Sequence, residues 1–406
     1  MLLALAWRNL WRQPRRTLLS LFSIAFAATL LVFMLSFQLG VYGEMKEAVL
    51  RMFDGYAQFQ AYGYATDPDM RRTIENPEAV SDEALGVRGV AAATPRINAF
   101  AILANGSKSF GAAVIGVDPS RERKVSTLPM SVREGRYLEA GDSDGAVLGD
   151  ALARNLGVGV GQKVTLLGSG LDGSVAADVL RVKGIYHSGI PEIDRSVVEI
   201  PLSRAQATFS FGDKANTIAL SGARLADVQD AQGALDNIGR RHGIALQDWG
   251  ALEPALRDSI TLKYITSSLF YATLVTVVTF IILNTLLMSV LERTREFGML
   301  LAIGMRPSLI GGMVWLELIT LALTGGAIGI AIGAGLSLWF ERTGISFASF
   351  SAILAQYGLP SQLYPSLSPF SALVGPTVIV LAICIGGIVP YLHVRRLQAA
   401  SAMRAA

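Results

Sequence analysis

Four long apolar runs constrain this chain more than any other feature of its sequence. About 20 apolar residues, rising 1.5 Å each, cross the ~30 Å hydrocarbon layer of a bilayer. Only 17% of the 406 residues are charged, whereas 51% are hydrophobic, a composition too apolar for an ordinary soluble protein of this length. The runs therefore predict four transmembrane helices, at residues 17–43, 264–291, 308–340 and 366–392.

The first run predicts a retained helix, because its apolar stretch is about twice the usual length of a signal peptide core.

Orientation follows from arginines in the short flanks, which collect on the cytoplasmic side of a membrane. These are Arg8, Arg12, Arg15, Arg16, Arg293, Arg295, Arg306, Arg395, Arg396 and Arg404. Residues 1–16, 292–307 and 393–406 are thus predicted to be cytoplasmic. The loop 341–365 has Arg342 as its one basic residue, which predicts the opposite side.

Residues 44–263 form the long segment between the first two spans, and roughly 220 residues are enough for a core of their own. Strand patterns occur in AAVIGV, KVTLL, VLRVKGIY and SVVEIPL, and helix patterns in DGAVLGDALARNL and LADVQDAQGALDNIG. We therefore predict an integral membrane α-helical protein with a large extracytoplasmic α/β domain, made of two subdomains, inserted between helices 1 and 2.

Catalytic and metal-binding motifs are missing from the sequence. It has no Gly-Lys dipeptide and hence no P-loop lysine, so ATP and Mg²⁺ are expected on a partner and no cofactor on this chain. His187, His242 and His393 lack ligand-like spacing, and Cys384 is alone in the fourth span. The run GVGVGQ, 157–162, precedes a strand, which favours a tight turn over a dinucleotide site. The net charge of +3 lies mostly in the arginine flanks and indicates contact with anionic lipid rather than nucleic acid.

The stretch ERTREFGMLLAIGMRP, Glu292–Pro307, lies between the second and third predicted spans. Its polar residues are Glu292, Arg293, Arg295 and Glu296, and its apolar residues are Phe297, Met299, Leu300 and Ile303. At helical spacing these form two faces, which predicts a short helix that inserts into a groove of a cytoplasmic partner. The alternative is a solvated turn between helices. Gly304 is predicted to end the short helix with positive φ, before Pro307 begins the next span.

The residues before the first span repeat this amphipathic pattern. Leu3, Trp7, Leu10 and Trp11 share one side, and Arg8, Arg12, Arg15 and Arg16 the other. This predicts a helix lying in the membrane interface; a targeting role is the alternative. Pro14 would let that helix bend into the first span.

Two features within the spans concern packing and lipid. Gly325, Gly329 and Gly333 recur at four-residue intervals and predict close approach of another helix. Glu317 is predicted to pair with an arginine near the cytoplasmic interface, the alternative being a functional charge in the membrane. Phe33, Met34 and Phe37 are candidates for contact with acyl chains, with core packing as the alternative.

The loop sequence resembles the cytoplasmic loop of FtsX-like and MacB-type permeases, the mechanotransmission class of ABC transporters. The positions that fill the family pattern are Glu292, Arg293, Arg295, Glu296, Phe297, Gly298, Ala302, Ile303 and Gly304. Leu301 departs from it, since many members carry Lys or Arg there. LAWRNLWRQPRRTLLS, EGRYLEAGDSDGAVLGDALARNLGVGVGQKVTLLG and PYLHVRRLQAASAMRA are similar to other parts of the family. GIPEIDRSVVEIPLSRAQ is similar to the lipoprotein-releasing, Lol-type branch.

The resemblance implies a permease subunit of the bacterial inner membrane with no ATPase site of its own. Its implied partners are two copies of a cytoplasmic ATPase, a second permease that is identical or paralogous, a periplasmic lipoprotein carrier or adaptor, and membrane lipid. Closure of the ATPases would move the outer domain and release lipoproteins. The alternatives are efflux of drugs or peptides resembling the macrolide exporters, and regulation of a periplasmic cell-wall hydrolase resembling FtsX.

Overall fold

A computed structural model describes Arg12, residues 14–347, Ser349 and residues 361–395. The described residues form two compact units, the first from Arg12, residues 14–43, 260–347 and 361–395, the second from residues 44–259 with Ser349. Trp7, Arg8 and Trp11 of the predicted interfacial helix lie outside the described residues, as does the tail from 396 onward.

The helices and strands are numbered in chain order. The helices are α1 (Pro14–Met52), α2 (Pro77–Leu85), α3 (Pro119–Val125), α4 (Asp150–Leu156), α5 (Pro191–Ser196), α6 (Leu202–Thr208), α7 (Leu225–Asp230), α8 (Gln232–His242), α9 (Trp249–Leu252), α10 (Pro254–Glu292), α11 (Thr294–Ala302), α12 (Pro307–Thr343), α13 (Pro369–Gly386) and α14 (Ile388–Arg395). The strands are β1 (Ala57–Ala61), β2 (Ala92–Asn105), β3 (Lys108–Val117), β4 (Val132–Gly135), β5 (Gly145–Gly149), β6 (Lys163–Ser169), β7 (Val175–Tyr186), β8 (Val197–Pro201), β9 (Thr217–Ser221), β10 (Ile244–Asp248), β11 (Ile345–Ser346) and β12 (Gln362–Leu363). A 3₁₀ turn, Leu128–Ser131, precedes β4.

The described residues contain 4 helical segments long and apolar enough to cross a membrane, which confirms the four predicted helices. They are Pro14–Met52, Pro254–Glu292, Pro307–Thr343 and Pro369–Leu392. Each begins at a proline, whose fixed φ suits the first helical position and whose missing N–H has no intrahelical partner there. The first two have 39 residues each, well beyond what a bilayer crossing requires.

Helices α1 and α12 approach closely along the three glycines of α12. A Cβ built on Gly325 would lie 2.8 Å from Ile24 Cβ, and one on Gly333 would lie 2.8 Å from Val32 Cβ. Gly329 faces Ala28, and its carbonyl oxygen accepts a hydrogen bond from the Thr29 hydroxyl at 3.2 Å. Small residues thus let the two backbones meet, as they do in other membrane helix pairs.

The second unit is built on one ten-stranded mixed sheet in the order β10-β1-β9-β2-β3-β8-β5-β7-β4, with β6 pairing both β2 and β7. Because β6 joins β2 to β7, the strands β2, β3, β8, β5, β7 and β6 close into a ring. One apolar core lies on one face of these strands and includes Ile97, Leu103 and Leu148. A second core packs α2, α7 and α8 against β1 and β9, around Phe59 and Ile218. The sheet is continuous through both regions, and the two-subdomain division stays a prediction.

The strand and helix patterns of this unit are mostly confirmed. AAVIGV, KVTLL, VLRVKGIY and SVVEIPL lie in β3, β6, β7 and β8, and LADVQDAQGALDNIG covers α7 and most of α8. The helical prediction for DGAVLGDALARNL is wrong in its first half, because Gly145–Gly149 is a fully buried strand between β7 and β8. A short apolar run fits a buried strand or a buried helix equally well until its neighbours are known. Gly157 and Gly161 have φ of 69° and 88°, which confirms the tight turn predicted before β6.

A buried polar cluster lies beside the ring. Arg96 pairs bidentately with Glu122, and both side chains are almost completely buried. The Tyr137 hydroxyl donates to Glu199 Oε2 at 2.6 Å, while Glu199 Oε1 has no partner among the described residues. Burial, and then the nearby Glu122 charge, raise the pKa of Glu199 to about 8. Glu199 is thus largely protonated at neutral pH.

The glycine contacts of α12 predict that Gly333→Ala destabilises the helix bundle. Its new Cβ would press on the β-branched Val32, and overpacking typically costs about 1–3 kcal/mol. Gly335→Ala is the matched control, because among the described residues a Cβ there would meet no other helix or side chain within 4 Å. Thermal unfolding in detergent should show a lower midpoint for Gly333→Ala alone. Equal midpoints for the two variants would contradict the close contact of α1 and α12.

The raised pKa of Glu199 predicts a pH dependence of the sheet unit. An unfolded glutamate has a pKa near 4.3, so the folded unit binds more protons between about pH 4 and pH 8. Its unfolding free energy should therefore fall as the pH rises through that window. Glu199→Gln, which mimics the neutral acid, should lose less stability between pH 5 and pH 8 in urea titrations. The exposed Glu192→Gln should behave as wild type; an unchanged pH slope in Glu199→Gln would contradict this account.

Candidate functional site

The short helix α11 connects two of the apolar helices, α10 and α12. Glu296 lies in its first turn, where a carboxylate interacts favourably with the positive end of the helix dipole. Gly304 follows the helix with φ of 101°, which confirms the predicted positive φ. Pro307 then begins α12 at its first helical position, also as predicted. The connection is thus a structured helix with defined ends.

One face of α11 is buried against neighbouring helices of this chain. Phe297 is 1% exposed and packs with Val290, Ile310, Val314 and Val394. Gly298 is also buried, and Leu300 is half-buried in the same cluster. The prediction that Phe297 projects toward a partner is therefore wrong. The amphipathic pattern is real, but its phenylalanine faces the neighbouring helices of this chain.

The opposite face of α11 is exposed. Met299 is 50% exposed and Ile303 is 84% exposed, the latter an unusual exposure for an isoleucine. Arg295 and Ala302 are also exposed, and these four positions recur at three- and four-residue spacing along one side. An apolar strip next to one arginine is therefore open to a partner.

Arg293 connects α11 to the third apolar helix. Its Nη1 lies 3.6 Å from Glu317 of α12, its Nε lies 3.5 Å from Glu296, and its guanidinium lies 5.4 Å from the centroid of the Phe297 ring. The Arg293 and Glu317 side chains are only 13% and 12% exposed. The structure thus confirms that Glu317 pairs with an arginine near the loop. A mostly buried charge is costly without a partner, so this pair fixes where α11 begins.

Two further ion pairs join α11 and the end of α10 to the beginning of the chain. Arg16 Nη1 lies 3.0 Å from Glu292, and Arg12 Nη1 lies 3.4 Å from Glu296. The Arg12 pair is well exposed, so it contributes little to stability. Arg15 is exposed. Of the described arginines of the predicted interfacial segment, Arg12 and Arg16 therefore contact the loop.

An apolar cavity of about 490 Å³ lies among α1, α10 and α13. Its walls include Leu31, Leu35, Val275, Phe370 and Val378. A buried polar group lies beside it: Gln38 donates to Tyr42 at 3.1 Å and to Ser267 at 3.0 Å, and the Tyr271 hydroxyl donates to Gln38 Oε1 at 2.9 Å. The sequence analysis missed this cavity, although the one glutamine in the first apolar run was a signal.

The predicted lipid-contacting residues lie elsewhere on α1. Phe33 and Phe37 stack on each other, Phe33 packs edge-on against Phe340 at 5.8 Å, and Phe37 lies 6.2 Å from Phe347. Met34 is 39% exposed. Within the described residues, Met34 is thus the one of the three that presents an open apolar surface.

Three potential metal ligands meet in the second unit, although the sequence spacing predicts no metal site. His187 Nδ1 lies 3.1 Å from carboxylate oxygens of both Asp150 and Asp194. Asp194 also accepts from the backbone N–H and the hydroxyl of Ser188, both at 2.7 Å. Asp150 pairs with Arg154 at 2.8 Å. These carboxylates have protein partners, and the cluster ties α4 to α5.

Two family models match the chain. The MacB-like periplasmic core domain matches residues 17–238, more than half of the chain, and the FtsX-like permease C-terminal domain matches residues 268–399. The second match includes α11, α12, α13 and the Arg293–Glu317 pair.

The chain is similar in sequence to LolC, LolE and MacB proteins. The chain is 25% identical over 360 residues to the lipoprotein-releasing system transmembrane protein LolC of Neisseria meningitidis, covering 86% of this chain and 82% of that one. It is 26% identical over 225 residues to LolE of Haemophilus influenzae, 50% of each chain. It is 24% identical over 331 residues to the macrolide export ATP-binding/permease protein MacB 1/2 of Paracoccus denitrificans, 78% of this chain and 45% of that one.

The two faces of α11 predict different effects of truncation. Phe297→Ala should lower the thermal stability of the permease alone, since removing a buried phenylalanine typically costs about 3–5 kcal/mol. Ile303→Ala should leave the stability unchanged, because that side chain is 84% exposed. Thermal unfolding of the purified permease in detergent measures both. A destabilised Ile303→Ala with an unaffected Phe297→Ala would reverse the assignment of the faces.

Proposed function

This chain belongs to the MacB-like periplasmic core domain family and is an ABC transporter permease of the LolC, LolE and MacB type; from this premise we propose that it releases lipoproteins from the inner membrane. The observation that carries the proposal is the match to LolC over most of both chains. The apolar cavity among α1, α10 and α13 supports it, because a lipid anchor needs a water-excluded apolar surface as it leaves the bilayer.

The proposed topology puts α11 and the arginine-rich flanks in the cytoplasm and the sheet unit, inserted between the first two spans, in the periplasm. The arginine asymmetry supports this orientation. The strands β1 to β10 all lie between α1 and α10 along the chain, which agrees with an inserted domain.

Mechanotransmission is the proposed mechanism. A separate cytoplasmic ATPase, present in two copies, would bind and hydrolyse ATP with Mg²⁺ and dock on the exposed face of α11. The Arg293–Glu317 pair would transfer its displacement to α12. Helices α1 and α10 have 39 residues each, about 58 Å at 1.5 Å per residue, so each is long enough to act as a rod beyond the ~30 Å hydrocarbon layer.

The proposal includes two partners besides the ATPase. A second permease, identical or paralogous, would complete the membrane assembly, and a periplasmic carrier would accept the released lipoprotein. Macrolide or peptide efflux with a periplasmic adaptor is the second candidate, favoured by the match to MacB over 78% of this chain.

Docking on α11 predicts a defined effect of its exposed residues on assembly. Ile303→Ala or Met299→Ala should remove an apolar contact worth about 2 kcal/mol at a hot spot and weaken ATPase co-purification roughly thirtyfold. Leu269→Ala, at a position on α10 that is 67% exposed, is the control and should co-purify normally. Wild-type ATPase recovery with both α11 variants would exclude this face as the docking site.

The substrate proposal is tested in proteoliposomes that contain the permease, its partner permease and the ATPase. With ATP enclosed in the lumen, on the side of the ATPase, and a carrier outside, we expect a lipoprotein to leave the membrane, and we expect its presence to stimulate ATP hydrolysis. Stimulation by a macrolide in place of the lipoprotein would instead support the efflux candidate.

A further inference from the structure

A polar cavity of about 330 Å³ lies on one face of the sheet in the second unit. Strand register puts its polar residues side by side: Gln58 is opposite Gln247, and Thr217 is opposite both Gln60 and Arg96. Directly paired residues point to the same side of a sheet, so these side chains share one face. A sheet face covered by an apolar core would not contain so many amide and hydroxyl groups.

Two oxygens among the cavity residues lack hydrogen-bond partners within the described part of the chain. Gln58 Nε2 donates to the Asp54 carbonyl at 2.9 Å, so Gln58 Oε1 is the atom that accepts from Gln60 Nε2 at 3.0 Å. Rotating the Gln60 amide by half a turn would place its oxygen against the Gln58 oxygen, so the orientation of the Gln60 amide is fixed. This leaves Gln60 Oε1 and Thr217 Oγ1 unpartnered, in residues that are 6% and 1% exposed. An unpaired buried oxygen is costly, and a bound donor would relieve that cost.

The charges of the cavity wall largely cancel. Arg96 is held bidentately by Glu122, so its charge is already matched. Burial, and then the charge of Glu253, raise the pKa of Asp54 to about 7, so this carboxyl is only partly ionised near neutral pH. Hydrogen bonds from neutral amides and hydroxyls, rather than ion pairs, are therefore what this wall offers to a ligand.

An apolar groove of about 430 Å³ adjoins the polar cavity on the same sheet face. Phe100 and Ala113 line both, and Ile102 and Leu167 continue the groove as a directly paired couple on β2 and β6. Phe100, Ile102 and Leu167 are 76%, 52% and 46% exposed. A neutral polar cavity thus opens beside an uncovered apolar strip.

We propose that the polar cavity and the apolar groove together bind a single-chain amphiphile with an uncharged head that bears hydroxyl or amide groups. The head would donate to Gln60 and Thr217, and the chain would cover Phe100, Ile102 and Leu167. Each space falls in the range of about 300–1,000 Å³ that is usual for ligand sites. The site consists of residues of the second unit alone, so its occupancy requires neither the ATPase nor ATP.

The test uses hexyl β-glucoside and the full chain in lipid nanodiscs without ATPase, with binding measured by saturation-transfer NMR and empty nanodiscs subtracted. Glucose, which lacks the chain, and hexyltrimethylammonium, which has a charged head, should each bind at least about tenfold more weakly, a difference of 1.4 kcal/mol. Equal binding of glucose or of hexyltrimethylammonium would overturn the proposal.

Variants separate the two parts of the site. Thr217→Val should lower the affinity for hexyl β-glucoside about fivefold while raising the melting temperature of the unliganded chain, because it removes an unpaired buried hydroxyl. Ile102→Glu should lower the affinity about tenfold by placing a charge in the groove. Met130→Glu is the control: Met130 is 74% exposed, lines neither space and should bind as wild type. Unchanged affinity in both Thr217→Val and Ile102→Glu would refute the site and leave the proposal of lipoprotein release untouched.

Discussion

The ion pair between Arg293 and Glu317 is the constraint on which the membrane unit's loop depends. Both side chains are nearly buried, so either charge left alone would carry a desolvation cost of several kcal/mol. The pair holds Arg293, the residue just before α11, next to Glu317 of α12. The Phe297 ring lies under the same guanidinium and is buried against the neighbouring helices. Met299 and Ile303, on the opposite face of the short helix, remain exposed. One polar contact inside an apolar bundle therefore links the start of α11 to α12.

The second unit depends on a different constraint, the closure of its sheet. Strand β6 pairs with both β2 and β7, and six strands thereby form a ring around a single apolar core. The opposite face of β2 changes character along its length. Arg96 and Asn98 line the polar cavity, whereas Phe100 and Ile102 line the apolar groove. The same 14-residue strand thus supports the core on one side and an amphiphilic surface on the other.

The sequence predicted those parts of the structure that depend on local chemistry. Run length identified the four apolar helices, and Gly304 and Pro307 marked the end of one helix and the start of the next. The outward direction of Phe297 was mispredicted, because a helical pattern shows two faces without showing which one has neighbours. The strand Gly145–Gly149 was missed for a similar reason, since burial on both faces removes the alternation that identifies a strand. The cavity beside Gln38 joins residues more than 200 positions apart, so the lone glutamine in the first apolar run could not indicate which residues form its walls.

The proposed mechanism requires that displacement of α11 reach the membrane helices through Glu317. The most direct measurement is the amount of substrate released per ATP hydrolysed by the reconstituted complex of a Glu317→Gln variant. Glutamine has nearly the same shape as glutamate but lacks the charge that pairs with Arg293. The account predicts that the ATPase still binds and hydrolyses ATP, while release per ATP falls severalfold. A ratio equal to that of the wild type would contradict transmission through this pair.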